Sequence, residues 1–289
     1  LTHKPFEELT DDEIVAHLHV QDAERVFCVY EALKRGIDHE TIWKITKIDW
    51  WFLDKMQHLA DLEKGLAKCN GVLSLEQYQT AKKYGFQDKT IKRLAQVDVL
   101  PVENYRAGFK MVDTCAAEFS ANTPYFYSTY DGDNEAAEFI AAREAEAAAN
   151  GQPKKKKVLV FGSGPIRIGQ GIEFDYCSVH CVWTLKNHGC EAILVNNNPE
   201  TVSTDFDTGD RLYFDPLNPE SVDNIIATEK PDACVVQFGG QTAIKLAKHM
   251  DEIGLPILGT PADAIDEAED RERFDELLER CNIPRAPGR

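Results

Sequence analysis

A short apolar run that ends in a glycine-rich segment constrains the fold of this chain more than any other feature. Val158 to Phe161 leads directly into GSGPIRIGQGIEFDY, which begins at Gly162 and carries four glycines. A short apolar run followed by glycine is typical of a buried strand. The residues after the last glycine have the composition of a helix. This order predicts a turn whose backbone closely approaches a ligand or a packed neighbour, because glycine has no side chain to obstruct it.

After residue 158, short apolar segments alternate with helical patterns. This alternation is typical of a parallel sheet flanked by helices. The predicted strands are 158–161, 192–195, 212–214, 233–238 and 257–258, and the predicted helices are 173–187, 219–229 and 242–253. We therefore predict an open parallel-sheet, Rossmann-like domain over residues 158–262.

Three of the predicted strands lead into polar or glycine-bearing loops. Such loops gather at the carboxyl ends of parallel strands, where ligand crevices form in open sheets. Gln237 and Gln241 could contact a phosphate there or could simply order their loop. The residues predicted to line the crevice are Gly162, Gly164, Asn196, Gln237, Gly239, Gly240 and Gln241.

The first loop does not match a dinucleotide-binding fingerprint. Gly162 and Gly164 supply its first two glycines, but Arg167 occupies the third position, where a side chain opposes close packing of helix and strand. The second strand ends in Asn196, so the carboxylate that would hold a ribose hydroxyl is missing. The sequence also lacks a GxxxxGK[ST] phosphate loop. Nicotinamide or flavin binding is therefore disfavoured.

The first part of the chain has the pattern of short helices. Thr10 with Glu13 and Ser74 with Gln77 have the spacing of capping boxes, and Gly36 is placed to end a helix. Small amphipathic helices bury their apolar faces only by packing together or against a partner. We predict an all-helical domain with a connecting arm over residues 1–130. The fold class is thus α plus α/β.

The residues between the two domains predict a linker over 131–157. Residues 135–149 are rich in alanine and glutamate, so they favour a solvated helix with little to bury. The four lysines at 154–157 are interpreted as a solvated edge rather than as a phosphate patch or a localisation signal.

Composition excludes several classes of function. A formal net charge of -17 repels phosphate backbones, so nucleic acid is not an expected partner. No apolar segment approaches the roughly 20 residues of a membrane helix. Eight scattered cysteines favour reduced thiols and a cytoplasmic location. Cys177 and Cys181 lie near His180, but a structural zinc site needs four ligands, so both are interpreted as core residues and no metal site is expected.

Several segments resemble the large chain of carbamoyl phosphate synthetase across essentially the whole sequence. They are the glycine segment from Gly162, NPETVSTDFDTGDRLYF from Asn198 and QFGGQT from Gln237. Upstream they are IDWWFL from Ile48, VDTCAAEF from Val112 and YSTY from Tyr127. Both synthetase halves of that family carry a version of the glycine motif, and the upstream helical domain assigns this copy to the second half. The resemblance implies an internal fragment that consists of an oligomerisation domain, a pre-ATP-grasp domain and, over 263–289, the start of a truncated ATP-grasp domain.

The resemblance also implies an activity and its partners. The full-length ligase makes carbamoyl phosphate for arginine and pyrimidine biosynthesis from bicarbonate, glutamine-derived ammonia and ATP, with magnesium or manganese. It works with a glutamine amidotransferase small subunit, and a homo-oligomer formed through the helical domain is expected. The ATP ligands of the family lie beyond residue 289, so the fragment alone is expected to be inactive, to bind none of these cofactors and to carry no catalytic residue.

For the glycine segment, the resemblance implies a place beside the path of carbamate. Gly171 would keep that path open, and Arg167 and Glu173 would line its polar wall. Alternatively, Arg167 and Glu173 pair with each other to hold the loop, because buried charges usually need partners. A further alternative is that the whole fragment is a non-catalytic assembly and binding scaffold.

Overall fold

The chain forms two compact units. The structure is a computed structural model that describes residues 3–114, 116, 118–119, 123–165, 172–205 and 207–285. Residues Leu1–Tyr105 form unit 1, and residues Arg106–Arg289 form unit 2. Each unit has its own core, and each is described by itself below.

Unit 1 is helical throughout its described residues. Capping side chains start several of its helices: Thr10 and Ser74 each form the predicted capping box. Gly36 ends the third helix with φ +88°, as predicted. The helices are α1 (Lys4–Glu7), α2 (Asp11–His17), α3 (Arg25–Arg35), α4 (His39–Thr46), α5 (Trp50–Ala67), α6 (Leu75–Lys83) and α7 (Asp88–Ala95).

Two apolar clusters hold unit 1 together. The first joins helices α1 to α5 around Ile14, Leu33 and Leu53, and the second joins α5 to α7 around Leu66 and Tyr78. Helix α5 contributes to both clusters, so it is the central element of the unit. Of its first four residues only Leu53 faces the core, and Trp50, Trp51 and Phe52 are exposed.

Unit 2 contains a mostly parallel sheet. Its strands are β1 (Gly108–Met111), β2 (Tyr125–Thr129), β3 (Lys157–Phe161), β4 (Glu191–Val195), β5 (Arg211–Tyr213) and β6 (Ala233–Val235). Among the described residues the strand order is β1-β2-β5-β4-β3-β6, and β1 alone runs antiparallel to its neighbour. This arrangement confirms the predicted fold class, an all-helical part followed by an open and mainly parallel sheet with helices.

Helices cover both faces of the sheet. The helices of unit 2 are α8 (Glu135–Ala149), α9 (Glu173–Asn187), α10 (Pro219–Glu229), α11 (Gly240–Ile244), α12 (Ala247–Glu252), α13 (Ala262–Glu269) and α14 (Arg271–Arg280), of which α14 packs on α13 and buries no residue of its own. The larger core cluster packs Phe109, Phe126 and Phe161 with α8, α10 and α12 on one face. A smaller cluster around Val160 and Val182 packs α9 on the other face. Within the described ranges, no helix has both the length and the apolar composition that a membrane crossing requires.

Three local predictions differ from the structure. The segment at 125–129, predicted as part of an irregular arm, is strand β2, and its Phe126 is fully buried. Helix α8 begins and ends where predicted but is not merely solvated, since Ala136 and Ile140 pack into the core. The predicted helix over 242–253 is split into α11 and α12. The division into segments 1–130, 131–157, 158–262 and 263–289 stays a prediction.

Candidate functional site at the carboxyl edge of the sheet

The three predicted loops meet at the carboxyl ends of strands β3, β4 and β6. The Gly162 N–H donates a hydrogen bond of 2.9 Å to the Val195 carbonyl, which continues the ladder between β3 and β4. The Gly164 N–H then donates to Asn196 Oδ1 at 3.0 Å. The β6 loop approaches the same point, since Gly239 lies directly against the backbone of Phe161 and Gly162.

Two of these glycines are required by close packing, Gly239 against backbone and Gly162 against the Asn196 side chain. A Cβ built on Gly239 would lie 2.5 Å from the Phe161 carbonyl oxygen and 2.4 Å from Ala243 Cβ. A Cβ on Gly162 would lie 2.6 Å from Asn196 Cγ. Since real side chains essentially never come this close, neither position accepts alanine without a shift of the neighbouring atoms. The edge is therefore closely packed.

Asn196 connects the first two loops. It is fully buried, and besides Gly164 its Oδ1 accepts a hydrogen bond of 3.3 Å from the Asn198 N–H. Its Nδ2 donates to Ser203 Oγ at 3.4 Å. These bonds form a hydrogen-bonded turn that begins at Asn196. The amide takes the place of the ribose-binding carboxylate that a dinucleotide fold would have here.

The two glutamines order their own surroundings. Gln237 Oε1 accepts a hydrogen bond of 2.8 Å from the Thr260 N–H, at the loop that follows the bridge between Cys234 and Ile257. Gln241 Nε2 makes a long contact of 3.4 Å with Glu269 Oε2 at the surface. The contacts of Gln237 favour the loop-ordering alternative that the sequence left open. Gly240, with φ +57°, has the ring of Phe174 3.2 Å from where its Cβ would be.

Sequence reasoning missed Asp175, which lies in the first turn of α9. It is 4% exposed, and its Oδ2 accepts a hydrogen bond of 3.0 Å from the Ser203 N–H. Its Oδ1 is buried without a hydrogen-bond partner among the described residues. Asp175 thereby ties α9 to the turn that follows β4. Its position within the motif EFDY is the sequence signal that could have found it.

A second buried carboxylate at this edge, Asp215, was also missed. It follows β5 and accepts hydrogen bonds from Ser128 in β2, from the N–H at 3.2 Å and from Oγ. Burial raises the pKa of Asp215 to about 6, although the hydrogen bonds from Ser128 oppose the rise. Among the described residues, neither Asp215 nor Asp175 has a cationic side chain within ion-pair distance.

Two of the three residues assigned to the carbamate path lie outside the described residues, namely Arg167 and Gly171. The third, Glu173, is the first residue of α9 and is exposed. Their roles, and the pairing of Arg167 with Glu173, therefore stay predictions.

The cysteines of α9 differ from each other. Burial raises the pKa of Cys181 to about 11, so its thiol stays protonated, and the side chain packs against the smaller core cluster. Cys177 is exposed, so its prediction as a core residue was wrong. In the parts of the chain that the structure describes, no three His, Cys, Asp or Glu side chains are grouped as metal ligands.

The opposite, amino edge of the sheet carries a buried charge network. Glu229, fully buried at the end of α10, accepts hydrogen bonds from Arg211 Nε at 2.7 Å and Tyr213 OH at 2.6 Å. Arg211 also donates to Glu191 at 2.8 Å. Burial by itself would lower the pKa of Arg211, but the two carboxylates raise it above its ordinary value.

Lys157, the first residue of β3, belongs to the same edge. Its Nζ lies 2.8 Å from Glu144 and 4.0 Å from Glu229. The side chain is nearly buried, so the prediction that all four lysines at 154–157 are solvated was wrong for this one. The edge opposite the glycine loops is thus a scaffold of paired charges.

Two family models match the chain. The carbamoyl phosphate synthase preATP-grasp domain matches residues 154–267, and the oligomerisation domain of the carbamoyl-phosphate synthetase large chain matches residues 1–110.

Curated relatives are similar over nearly the whole chain. The carbamoyl phosphate synthase large chain of Agathobacter rectalis is 52% identical over 98% of this chain, which covers 26% of the relative. That of Lachnoclostridium phytofermentans is 53% identical over 96%, covering 25% of the relative, and that of Archaeoglobus fulgidus is 46% identical over 96%, covering 26%. The chain thus spans about a quarter of the length of these relatives.

Proposed function

Because the chain belongs to the carbamoyl phosphate synthetase large-chain family, we propose that it acts as an internal part of that ATP-dependent ligase. The complete enzyme makes carbamoyl phosphate from bicarbonate, glutamine-derived ammonia and ATP, together with a glutamine amidotransferase small subunit. In this proposal unit 1 supports self-association. Unit 2 shapes the path of carbamate and one wall of the second site, where carbamate is phosphorylated, and the enzyme works in the cytoplasm.

The observation that carries the role of unit 2 is the close packing at Gly162, Asn196 and Gly239. Backbone and amide groups meet there without side-chain charge, and the glycines leave no space between the loops. Carbamate hydrolyses readily in water, so a path for it needs walls that restrict water. A closely packed loop junction with a rigid polar rim provides such a wall.

The described residues of this edge do not fit ATP with its metal ions. A nucleotide triphosphate needs cationic groups or a cradle of free N–H donors for its phosphates. The crevice residues Gly162, Asn196 and Gln237 supply no cation, and the N–H groups of Gly162 and Gly164 already donate within the fold. We assign ATP and its magnesium or manganese ions to the rest of the large chain.

Calorimetry tests this assignment directly. Titration of ATP and magnesium into the present chain should give no binding at micromolar concentrations and no ATP hydrolysis. Micromolar affinity would contradict the proposal, because it would place the nucleotide on these residues.

Coupling in the complete enzyme tests the carbamate path. Gly171→Phe in the full large chain with its small subunit should raise the ATP consumed per carbamoyl phosphate formed, since a blocked path releases carbamate to water. Val72→Phe adds the same ring at an exposed position of unit 1 and serves as the matched control. An unchanged ratio of ATP consumed to carbamoyl phosphate formed in Gly171→Phe would contradict the carbamate path. The alternative, an assembly and binding scaffold, would then remain.

A further inference from the structure

A glycine in the last turn of helix α5, two residues before its end at Ala67, has no explanation within unit 1. Gly65 is exposed, and a Cβ built on it would meet nothing within 4 Å. Glycine inside a helix costs up to about 1 kcal/mol relative to alanine. Its backbone is helical, so no positive φ requires it either. A contact with something outside the unit would account for it.

Gly65 lies on a groove between α5 and α6. The groove has a volume of 450 Å³, and its apolar walls include Leu62, Leu66 and Ala81. His58 and Asp61 lie on its rim along α5. The missing side chain at Gly65 leaves this end of the groove open to a bulky group.

The first turn of the same helix presents a bulky group. Trp51 is 59% exposed, and its ring packs edge to face on Phe52, which is also exposed. Lys55 Nζ lies 5.4 Å from the centre of the Trp51 ring. Exposed aromatic side chains of this kind are enriched at the centres of protein interfaces.

The spacing of these features along α5 is symmetric about His58. Trp51 and Gly65 lie seven residues on either side of it, and Lys55 and Asp61 lie three residues on either side. With 3.6 residues per turn, all of these positions fall on one side of the helix. The Trp51 ring and the open space at Gly65 are therefore equally far from His58 along the helix. The same holds for the Lys55 cation and the Asp61 anion.

We propose that two copies of the chain pair through antiparallel α5 helices, with a two-fold axis at His58. In a two-fold interface, each contact is made twice with the roles exchanged. Trp51 then enters the groove at Gly65 of the second copy, and Lys55 faces Asp61 of the second copy. This pairing rests on the proposed self-association of unit 1 and names the surface that performs it.

Charge supports a second copy as the occupant. The chain carries a formal net charge of -17, so most of its surface repels a copy of itself. Glu76 also lines the groove, but Lys55 and Asp61 balance each other, and antiparallel pairing brings these opposite charges together on both sides of the axis. Gln57 Nε2 donates to Asp61 Oδ1 at 2.8 Å and so orients the carboxylate on the helix surface.

Charge reversal with rescue tests the register. By analytical ultracentrifugation, Lys55→Glu and Asp61→Lys should each raise the dimer dissociation constant by at least about tenfold, because each places like charges face to face. The double variant Lys55→Glu/Asp61→Lys exchanges the two signs and should restore association to near the wild-type level. Lys89→Glu on α7 makes the same charge change outside the face and should leave association unchanged.

Filling the hole tests the ring contact. Gly65→Phe should abolish dimers while the helix stays folded, and Trp51→Ser should weaken them. Val72→Glu, at a position that is 79% exposed, is the control for a changed surface residue.

The outcomes separate this inference from the proposed function. A wild-type chain that stays monomeric at high concentration would contradict the proposed self-association of unit 1. A dimeric wild type whose association survives Gly65→Phe and is not rescued by the charge exchange would overturn the α5 pairing alone.

Discussion

The two edges of the sheet in unit 2 are held together by different chemistry. At the amino edge, Arg211, Glu229 and Lys157 form a network in which each buried charge faces an opposite one. At the carboxyl edge, glycines lie against backbone, and the buried carboxylates Asp175 and Asp215 meet hydrogen-bond donors rather than cations.

This difference separates support from function. Paired buried charges fix a position but leave little capacity for a ligand, because their hydrogen bonds are already used. Close glycine packing keeps the backbone near a crevice, and the carboxylates of Asp175 and Asp215 have no cationic partner among the described residues. The carboxyl edge, which the resemblance associates with function, is thus the edge whose buried charges lack opposite charges among the described residues.

The strongest test of the comparison removes Glu229. Glu229→Ala leaves Arg211 and Tyr213 without their shared acceptor, and Arg211, buried and paired only with Glu191, should then cost about 3 kcal/mol of unfolding free energy. Urea unfolding measures the change. A loss below about 1 kcal/mol would mean that apolar packing, rather than charge pairing, holds the amino edge.

At the carboxyl edge the corresponding test is steric. Gly239→Ala places a methyl group against the Phe161 carbonyl and Ala243, so we expect a loss of about 3 kcal/mol. Gly65→Ala is the matched control, and it should stabilise the chain by about 0.5–1 kcal/mol, because its Cβ meets nothing and alanine favours a helix. Equal effects of the two substitutions would contradict the close packing at Gly239.

The pH dependence of stability should distinguish the edges further. Because folding raises the pKa of Asp215 from 3.8 to about 6, ionised Asp215 destabilises the fold above pH 6, and this cost disappears as the pH falls towards 3.8. Asp215→Asn can keep both bonds with Ser128, so it should be more stable than the wild type by roughly 2 kcal/mol at pH 8. The difference should vanish below pH 4. A constant difference across this range in thermal unfolding would show that ionisation of Asp215 is not its cause.

The smallest expected effect is at the rim of the amino edge. Glu144 pairs with Lys157 at 2.8 Å, but its own side chain is half exposed. Glu144→Gln should therefore lower the unfolding free energy by less than about 1 kcal/mol, and added salt should reduce the difference. An effect as large as that of Glu229→Ala would extend the buried network to the surface.

Local patterns in the sequence were sufficient for much of this fold. The bounds of α9 and α10 agree with prediction, because apolar periodicity and, for α10, the cap Asn218 are properties of neighbouring residues. The meeting of the three loops also follows from the rule for parallel strands, and Asn196 lies where it was expected.

Contacts between distant residues were not predictable in the same way. Lys157 is the last of four consecutive lysines, and its partners lie 13 and 72 residues away. Neither partner is recognisable from the local sequence, so all four lysines were predicted to be solvated. Strand β2 has only five residues, and its membership in the sheet depends on pairing with β5. Trp51 points outward because Leu53, two residues later on the helix, is the one that packs into the core, and the sequence alone did not show which of the two would do so.

The pairing of β2 with β5 affects the order in which the chain can fold during synthesis. The core of unit 1 uses residues before 106 only, so its helices can pack as soon as they leave the ribosome. Strands β1 and β2 emerge next, but an isolated hairpin is marginally stable, and Tyr125 pairs with Leu212, more than 80 residues later. The edge of the sheet that bears Phe126 must therefore wait for most of unit 2 to be made, and during that interval the nascent chain exposes an apolar strand that chaperones would be expected to bind.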